Sequence, residues 1–505
     1  METDVLLVGA GPTGLALACQ LIRHGVNFVI IDKKDATTPF SRAIGVQART
    51  LEIYEQMGLA DKLIAMGKPA EKVRMVEGGI VRGEAVLSEL GIGMSPYPFM
   101  LVVEQGKHEA LLYDYMKSHG RDVEWQSELA SFEQDETGVT AQVRSAAGNV
   151  RTIRAKYMVG CDGARSVVRH GLNLTFDGDT AGRLFYVADV QIDWDLPHDA
   201  LQICLAKHTL TAFFPLVGEN RYRILGTFPD GHSADEGEVV YEEIERQIEL
   251  DTEMKLDISH VNWFSVYKVH SRAVNKFSEG RCFVAGDAAH IHTPAGGQGM
   301  NTGIQDGYNL AWKLALACKG NADLLASYNE ERLPNAKRLL STTDRLFELG
   351  SSDEWFISYF RTHIFPHILG FALDIDLVKK SIFQLISQIG INYRESSLSS
   401  NNGNFSVKAG DRMPWFEVDG TSIYDRLHGP AFHMIAFSDG KTSVPPLPDE
   451  VKIDRVDIPL YPNVADIFGT RESFFIIVRP DNYIGLISND LSPEMIHKYL
   501  DRIVK

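Results

Sequence analysis

The first part of the chain alternates apolar runs with one stretch of helical periodicity. Residues 5–8 and 28–31 are continuous apolar runs. Between them, Leu15, Ala18 and Leu21 recur at the spacing of one helix face. The pattern predicts a strand, a helix and a second strand, which is the order of a βαβ unit with parallel strands.

A different pattern occupies the middle of the chain. Four short segments rich in β-branched and aromatic residues follow one another, at residues 185–192, 211–216, 221–226 and 261–269. Turn sequences separate some of them, at residues 217–220 and 229–231. The pattern predicts an antiparallel sheet inserted into the first domain, and residues 71–100 are expected to join it.

Two later patterns complete the outline. Ile304, Tyr308 and Ala311 recur at helical spacing, so that a helix is expected to start near Asn301 or Thr302. Towards the end of the chain, three apolar runs predict strands, at residues 432–437, 473–478 and 484–487. Residues 493–504 predict a terminal helix, and residues 400–505 therefore form a separate α/β unit.

Composition and charge narrow the class of protein. The 505 residues, 44% of them hydrophobic and 23% charged, are typical of a globular protein with several domains. The formal net charge of −17 argues against nucleic acid or an anionic membrane as a partner. Five dispersed cysteines without a C-x-x-C pair indicate a reducing cytoplasm and no metal site. Neither a secretory leader nor a membrane span of about 20 apolar residues is expected.

The turn after the first apolar run has the glycine spacing of a dinucleotide-binding loop. Gly9 would permit the tight turn, Gly11 would let the backbone approach a diphosphate, and Gly14 would allow helix and strand to pack closely. Asp32, at the end of the second strand, would accept hydrogen bonds from ribose hydroxyls. A glycine-rich turn that binds nothing is the alternative. The loop alone does not separate FAD from NAD.

Two later segments resemble motifs of the class A flavoprotein aromatic hydroxylases. Residues 157–169 are similar to that family's Asp-Gly motif, with Asp162 in the characteristic place. Residues 280–290 are similar to its Gly-Asp motif, which includes Asp287. A glycine-rich segment follows, and its family positions are Pro294, Gly299, Met300 and Asn301. The three motifs stand in the family's order, and the resemblance extends more loosely over the whole chain.

The resemblance implies FAD bound without a covalent link, and residues that hold it. Asp287 would hydrogen-bond a ribityl hydroxyl, although a helix cap is an alternative role for it. The helix after the glycine-rich segment would direct its N-terminus at the flavin pyrimidine ring. Arg42 is expected to meet the FAD diphosphate and Gln105 to contact the cofactor. For both residues an ordinary surface position is the alternative.

The expected fold class is α/β, with a dinucleotide-binding FAD domain, an inserted antiparallel β-sheet substrate domain and a further C-terminal domain. The turn at residues 479–483 resembles the thioredoxin-like appendage of phenol and polyketide hydroxylases, which implies that this last domain is thioredoxin-like. We assign residues 1–70, 101–178 and 272–345 to the FAD domain, and residues 71–100 and 179–271 to the substrate domain. A helical connection at 346–399 leads to the C-terminal domain at 400–505. That last domain contains no cysteine, which excludes dithiol chemistry and favours support or an oligomer contact. The oligomeric state stays open.

The substrate is expected to lie against an aromatic strand. Phe213, Phe214 and Pro215 resemble the strand that faces the pocket in the family, and an apolar wall suits a flat hydrophobic ligand. Aromatic residues on strands are also common as plain core, which is the alternative. Strand side chains alternate faces, so that only one of the two phenylalanines is expected to face inward.

The resemblance implies a monooxygenase that uses NAD(P)H and O₂ to hydroxylate an aromatic or polycyclic small molecule. A C4a-hydroperoxyflavin would deliver the oxygen, since the cofactor performs this chemistry in the family. Epoxidation, Baeyer–Villiger insertion and a non-catalytic FAD protein that sequesters a planar ligand are the alternatives. A flavin dehydrogenase or oxidase is disfavoured by the motif set. No catalytic base is assigned, and the choice between NADPH and NADH stays open.

Overall fold

The computed structural model describes residues 1–38, 43–194, 196–205, 209–229, 239–293, 297–351, 376–442, 444, 447 and 453–503. Its helices are α1 (Pro12–Arg23), α2 (Ala48–Glu55), α3 (Ala60–Met66), α4 (Leu87–Leu90), α5 (Gln105–Ser118), α6 (Val167–Gly171), α7 (Tyr241–Thr252), α8 (Gly299–Ala317), α9 (Ala326–Ser351), α10 (Asp376–Ile386), α11 (Pro462–Phe468) and α12 (Pro493–Leu500). Within this part of the chain, no helix is long and apolar enough to cross a lipid bilayer.

Within the described residues, the strands form three larger sheets and two small ones. The first half of the chain contributes β1 (Glu2–Val8), β2 (Phe28–Ile31), β3 (Gly45–Val46), β4 (Lys68–Ala70), β5 (Lys72–Glu77), β6 (Ile80–Val86), β7 (Met100–Val102), β8 (Val123–Glu124), β9 (Ser127–Gln134), β10 (Val139–Ser145), β11 (Val150–Gly160), β12 (Phe176–Asp193), β13 (Ala200–Leu205), β14 (Leu210–Pro215) and β15 (Arg221–Thr227). The second half contributes β16 (Asp257–Val274), β17 (Ser278–Glu279), β18 (Cys282–Val284), β19 (His290–Ile291), β20 (Ser400–Asn402), β21 (Glu417–Val418), β22 (Thr421–Ser422), β23 (His433–Ser438), β24 (Asp454–Pro459), β25 (Phe474–Val478) and β26 (Ile484–Ser488).

The first sheet contains the βαβ unit predicted from the apolar runs. Its strands lie in the order β17-β18-β11-β1-β2-β8, and β10 and β9 extend it from β11. The strand β1 lies between β2 and β11 and runs parallel to both. Helix α1 packs against α5 and α8. The carboxyl ends of β1, β2 and β11 therefore meet at one edge, where ligands bind in such sheets.

The second sheet is the antiparallel layer predicted for the middle of the chain. Its order is β19-β16-β12-β15-β14-β13-β5-β6, and β12 and β16 are its two longest strands. Of residues 71–100, β5 and β6 join this sheet, where β5 runs parallel to β13, while Met100 begins β7 of a small separate sheet. One face packs on α7 through apolar residues that include Ile244, Ile248 and Phe213. The opposite face is turned towards the first sheet.

Residues 400–488, in the last fifth of the chain, form a sheet of their own, as the apolar runs predict. The order is β20-β26-β25-β23-β24, with β23 antiparallel to β25 and parallel to β24. One face is filled by a cluster of phenylalanines, among them Phe437, Phe468 and Phe474. The mixed α/β fold class predicted from the sequence is confirmed.

Helix α8 is longer at its start than its apolar spacing indicates. It begins at Gly299 rather than near Asn301 or Thr302, after Gly297 has turned the chain with a φ of +62°. The first turn carries no buried apolar side chain, so that periodicity gives no sign of it. The terminal helix ends at Leu500, and residues 501–503 form a turn where the helix was expected to continue. Residues 352–375 of the expected helical connection lie outside the described residues.

The packing of α8 against α1 and the turn after β18 requires a glycine. A Cβ at Gly303 would lie 2.3 Å from Thr13 Oγ1 and 3.1 Å from the Cα of Gly286. We expect Gly303→Ala to lower the free energy of unfolding by about 1–3 kcal/mol, because overpacking forces neighbouring groups apart. Thermal and urea unfolding measure this change. Gly83→Ala, on β6 with no atom within 4 Å of the added Cβ, is the matched control.

The same contact provides a rescue. Thr13→Ala removes the oxygen that the new methyl group would strike, so that Thr13→Ala/Gly303→Ala should recover most of the stability lost by Gly303→Ala. If the single variant unfolds like the parent protein, this contact does not limit the packing of α8.

Candidate cofactor and substrate site

The glycine loop after β1 has the shape of a diphosphate cradle. Gly9 has a φ of +103°, and a Cβ there would lie 2.3 Å from the carbonyl oxygen of Cys161. A Cβ on Gly14 would lie 2.0 Å from the carbonyl oxygen of Gly9, so that this position allows helix and strand to touch. Gly11, by contrast, has no atom within 4 Å of its missing Cβ. The open space lies directly before α1, where unpaired N–H groups attract phosphate.

Asp32 lies beside this loop at the end of β2. Its Oδ2 accepts the Ala10 N–H at 2.7 Å and its Oδ1 accepts the Lys34 N–H at 2.8 Å. The carboxylate also lines a cavity of about 280 Å³, which includes Gly9, Gly11 and Gly163. Carboxylate oxygens hold further lone pairs, so that Asp32 is able to accept a ribose hydroxyl as well.

Asp162 lines the same cavity, but one of its carboxylate oxygens is already bound by backbone N–H groups of the protein. Its Oδ2 accepts the N–H groups of Val167 and Val168, at 2.7 and 3.2 Å, and thereby caps α6. Burial raises the pKa of this carboxyl group. The position therefore fixes the turn after β11 against the glycine loop.

Asp287 opens into a second cavity, of about 310 Å³. It lies in a short 3₁₀ turn, Gly286–Ala288, directly after β18. Its side chain is exposed to the cavity although protein atoms surround it, and this desolvation raises its pKa. Gly286 has a φ of +59°, and a Cβ there would lie 2.4 Å from Thr13 Oγ1. The turn that presents Asp287 therefore depends on glycine.

A buried ion network that sequence reasoning missed holds this turn. Asp306, on α8, accepts the Gly286 N–H at 2.9 Å and pairs with His290 Nε2 at 2.7 Å. Its other oxygen accepts Arg332 Nε–H at 2.6 Å. Burial opposes ionisation of this carboxyl group, but Arg332 and His290 hold its pKa below the usual range. The network joins α8, α9 and the turn that carries Asp287.

A stripe of polar residues along α8, beside Asp306, was the available signal in the sequence. Asn301, Gln305, Asn309 and Lys313 recur every four residues, and all four are buried, as is Asp306. Buried polar groups need partners, so that such a stripe predicts packing against polar groups on several sides. The sequence does not reveal which groups those are.

The start of α8 forms the floor of the second cavity. Gly297, Gln298, Gly299 and Met300 line it, and the N–H groups of a first helical turn have no partner within the helix. Asn301 lies beneath them and is fully buried. Its amide donates to the carbonyl oxygens of Gly45 and Gly297, and its oxygen accepts the Gln47 N–H at 2.9 Å. Its side chain therefore shapes the floor from below.

The sheet forms the opposite wall of this cavity. Phe214, Leu225, Tyr267 and Val269 line it. Phe213 points to the other face, where it is fully buried with its ring 4.7 Å from that of Trp194. Pro215 pairs with Tyr222, which belongs to the core on the same face as Phe213. The structure thus brings Phe214 to the cavity and places Phe213 and Pro215 behind it.

Three further predictions concern Gln105, Arg42 and Pro294. Gln105 is the first residue of α5, and its Nε2 donates a hydrogen bond to Glu109 at 2.7 Å. It is not among the described residues that line the two cavities. Arg42 and Pro294 lie outside the described residues.

Residues of β16 and the loop after β19 complete the second cavity, and motif reading did not select them. Lys268 and His270 lie at one side, and His292 at the other. His292 donates from Nδ1 to the Thr293 carbonyl oxygen at 2.7 Å, and burial lowers its pKa to about 4. Its imidazole is therefore neutral at physiological pH.

The whole arrangement fits an FAD molecule. The open cradle at Gly11 suits a diphosphate, Asp32 suits a ribose, and the second cavity offers helix N–H groups opposite an apolar wall. Asp32, Gly11 and Asp287 follow β2, β1 and β18, which lie in the order β2-β1-β11-β18 in the first sheet. The order along this edge therefore suits ribose, diphosphate and ribityl chain, with the second cavity beyond them.

Comparison with known proteins agrees with this geometry. Residues 2–343 match the family described as FAD binding domain. The chain is 39% identical over 345 residues to 6-methylpretetramide 4-monooxygenase of Streptomyces rimosus, a match that covers 67% of this chain and 61% of that enzyme. It is 31% identical to a flavin-dependent monooxygenase of Mycobacteroides abscessus, over 99% of this chain and all of the relative.

A solved structure extends the likeness to the whole fold. The anhydrotetracycline hydroxylase of Streptomyces rimosus is 27% identical, covers 99% of both chains and superposes with a TM-score of 0.79. The resemblance to the class A aromatic hydroxylases is thereby confirmed. The chain belongs to the FAD binding domain family and, within it, to the FAD-dependent monooxygenases of the aromatic hydroxylase type.

Proposed function

We propose that this protein uses NAD(P)H and O₂ to hydroxylate an aromatic or polycyclic small molecule. The observation that carries the proposal is the second cavity, in which an apolar wall from the sheet faces the Asp287 turn and the first turn of α8. An apolar cavity with few polar groups suits a flat ligand. Relatives named for pretetramide, anhydrotetracycline and pentachlorophenol support this substrate class.

The residues of the chain would bind and orient the cofactor. Gly11 and the N-terminus of α1 would hold the diphosphate, and Asp32 a ribose. The first turn of α8 would favour the negative charge of reduced flavin. Asp162, Arg42, Gln105 and Pro294 remain motif-based predictions for this site. When bound, FAD would accept hydride from NAD(P)H and supply activated oxygen by the C4a route that the family resemblance implies.

The cavity wall would exclude water from the reacting centre. Phe214, Leu225 and Val269 present apolar surface there, and water at this place would release the activated oxygen as hydrogen peroxide. Tight packing of the ring against the wall would also hold it at a reactive distance.

Substrate-stimulated NAD(P)H consumption tests the proposal directly. Purified holoenzyme is incubated with phenols, anthraquinone-like polyketides and tetracycline-like compounds under ¹⁸O₂, and products are analysed by mass spectrometry. One ¹⁸O atom per product is expected, and the product's structure separates hydroxylation from epoxidation and Baeyer–Villiger insertion. If a ligand binds tightly but neither NAD(P)H nor O₂ is consumed, the protein sequesters the ligand instead.

Asp287 provides a test of the cofactor site. Asp287→Ala would remove an acceptor of a ribityl hydroxyl, and an unpaired buried hydroxyl costs about 1–3 kcal/mol. The FAD dissociation constant should rise roughly five- to 150-fold, measured by flavin fluorescence. Asp323→Ala, an exposed aspartate of the turn before α9, is the control. If the Asp287 variant binds FAD with unchanged affinity, the aspartate contributes only to the 3₁₀ turn in which it lies and not to cofactor binding.

Phe214 and Phe213 form a matched pair for the cavity wall. Phe214→Ala should keep FAD and substrate-stimulated NAD(P)H oxidation, but release more hydrogen peroxide and less oxygenated product, because it opens the wall to water. Phe213→Leu alters the opposite face, so that it should lower stability without changing the product-to-peroxide ratio. Equal ratios in both variants and the parent protein would place the substrate wall elsewhere.

A further inference from the structure

The turn at Arg479–Tyr483 inserts a buried arginine between two carboxylates. Arg479 donates from Nη1 and Nη2 to Glu331 of α9, at 2.6 and 2.9 Å. From Nε and Nη2 it donates to Asp481, at 3.0 and 2.6 Å. All three side chains are fully buried. The contact joins the C-terminal sheet to the part of the chain that belongs to the FAD binding domain family.

Both carboxylates also hold helix α8. Asn309 and Lys313 donate to Glu331 Oε2, at 2.6 and 2.7 Å. Trp312 donates from Nε1 to Asp481 Oδ2 at 3.0 Å. Glu331 and Asp481 thus each bind both Arg479 and a side chain of α8. Loss of Arg479 would leave two buried carboxylates with a single lysine, and such uncompensated charge forces the surroundings to move.

The same turn reaches helix α2 as well. Arg49 donates from Nη2 to the Asp481 carbonyl oxygen at 2.9 Å. Helix α2 begins directly after Gln47, whose N–H is bound by Asn301 at the start of α8. The turn therefore contacts both elements that meet below the floor of the second cavity.

Helix α8 is able to transmit a displacement from this turn to the cavity. It has no proline and is buried along almost its whole length. Trp312 lies twelve positions after Met300, which corresponds to about 18 Å along the helix axis. A packed helix of this length moves as one body, because interiors are dense and deform little.

We propose that Arg479 is a positioning residue for the flavin, acting through Glu331 and Asp481 on α8. The C-terminal domain, which has no cysteine for redox chemistry, thereby sets the placement of the first turn of α8. This inference rests on FAD binding and not on the proposed hydroxylation. It is tested without an aromatic substrate, so that its failure is distinguishable from failure of the proposed function.

The first test uses unaltered protein. Coupling between two sites is reciprocal, so that FAD binding must stabilise the turn if the turn stabilises the FAD site. Hydrogen exchange of residues 478–484 is compared in holoenzyme and in full-length protein from which FAD has been removed. We expect exchange there to slow roughly fivefold or more when FAD binds. Unchanged exchange at these amides would overturn the proposal.

The second test uses variants and two flavin readouts. Arg479→Lys keeps the charge but cannot bridge both carboxylates, and Glu331→Gln alters the same contact from α9. Each should raise the FAD dissociation constant about tenfold. Each should also make the midpoint potential of the bound flavin more negative, because the first turn of α8 would stabilise reduced flavin less.

A matched control separates positioning from general stability. Arg394 makes the same two-bond contact, with Asp411, but is half exposed, and Arg394→Lys should leave both flavin readouts unchanged. If Arg479→Lys fails to fold, Asp481→Asn, which keeps the side-chain volume, decides by the same readouts. Variants that melt earlier but bind FAD with the parent's affinity and potential would show a purely structural role and overturn the proposal.

Discussion

The burial of polar side chains along α8 is the constraint on which the rest of the structure depends. A buried polar group without a partner costs about 1–3 kcal/mol in protein mutational data, and a buried charge costs more. Helix α8 carries Asn301, Asp306, Asn309 and Lys313 into the interior. The elements that cover these positions must therefore supply particular partners at particular places.

Those partners come from four separate parts of the chain. Gly45 and Gln47 meet Asn301, the Gly286 turn meets Asp306, and α9 contributes Glu331 and Arg332. The C-terminal turn contributes Asp481, which bonds Trp312 of the same helix. Buried ion pairs of this kind add little net stability compared with apolar packing, but they penalise misplacement strongly. We infer that they define where the flavin floor lies relative to the sheet wall.

This geometry suits a reaction whose chemistry is supplied by the cofactor. The protein's task is then to hold an apolar ring near the cofactor and to keep water away, and neither task requires a charged catalytic side chain. The neutral His292 and the apolar residues Phe214, Leu225 and Val269 agree with that division of labour. The C-terminal domain contributes to the position of the cavity floor indirectly, through the contacts of its turn at residues 479–483 with α8 and α2.

The sequence by itself determined the βαβ unit, the glycine loop, the antiparallel insertion and the family, because each depends on local spacing. Gly9 and Gly14, for example, are required by contacts within the loop itself. Only the tertiary structure decided that Phe214 rather than Phe213 faces the cavity, since alternation defines two faces without saying which is covered. It alone showed that Asn301 acts from beneath the floor, and that Arg479 meets Glu331 across 148 residues of chain. Such pairings depend on how distant elements pack, which no local pattern records.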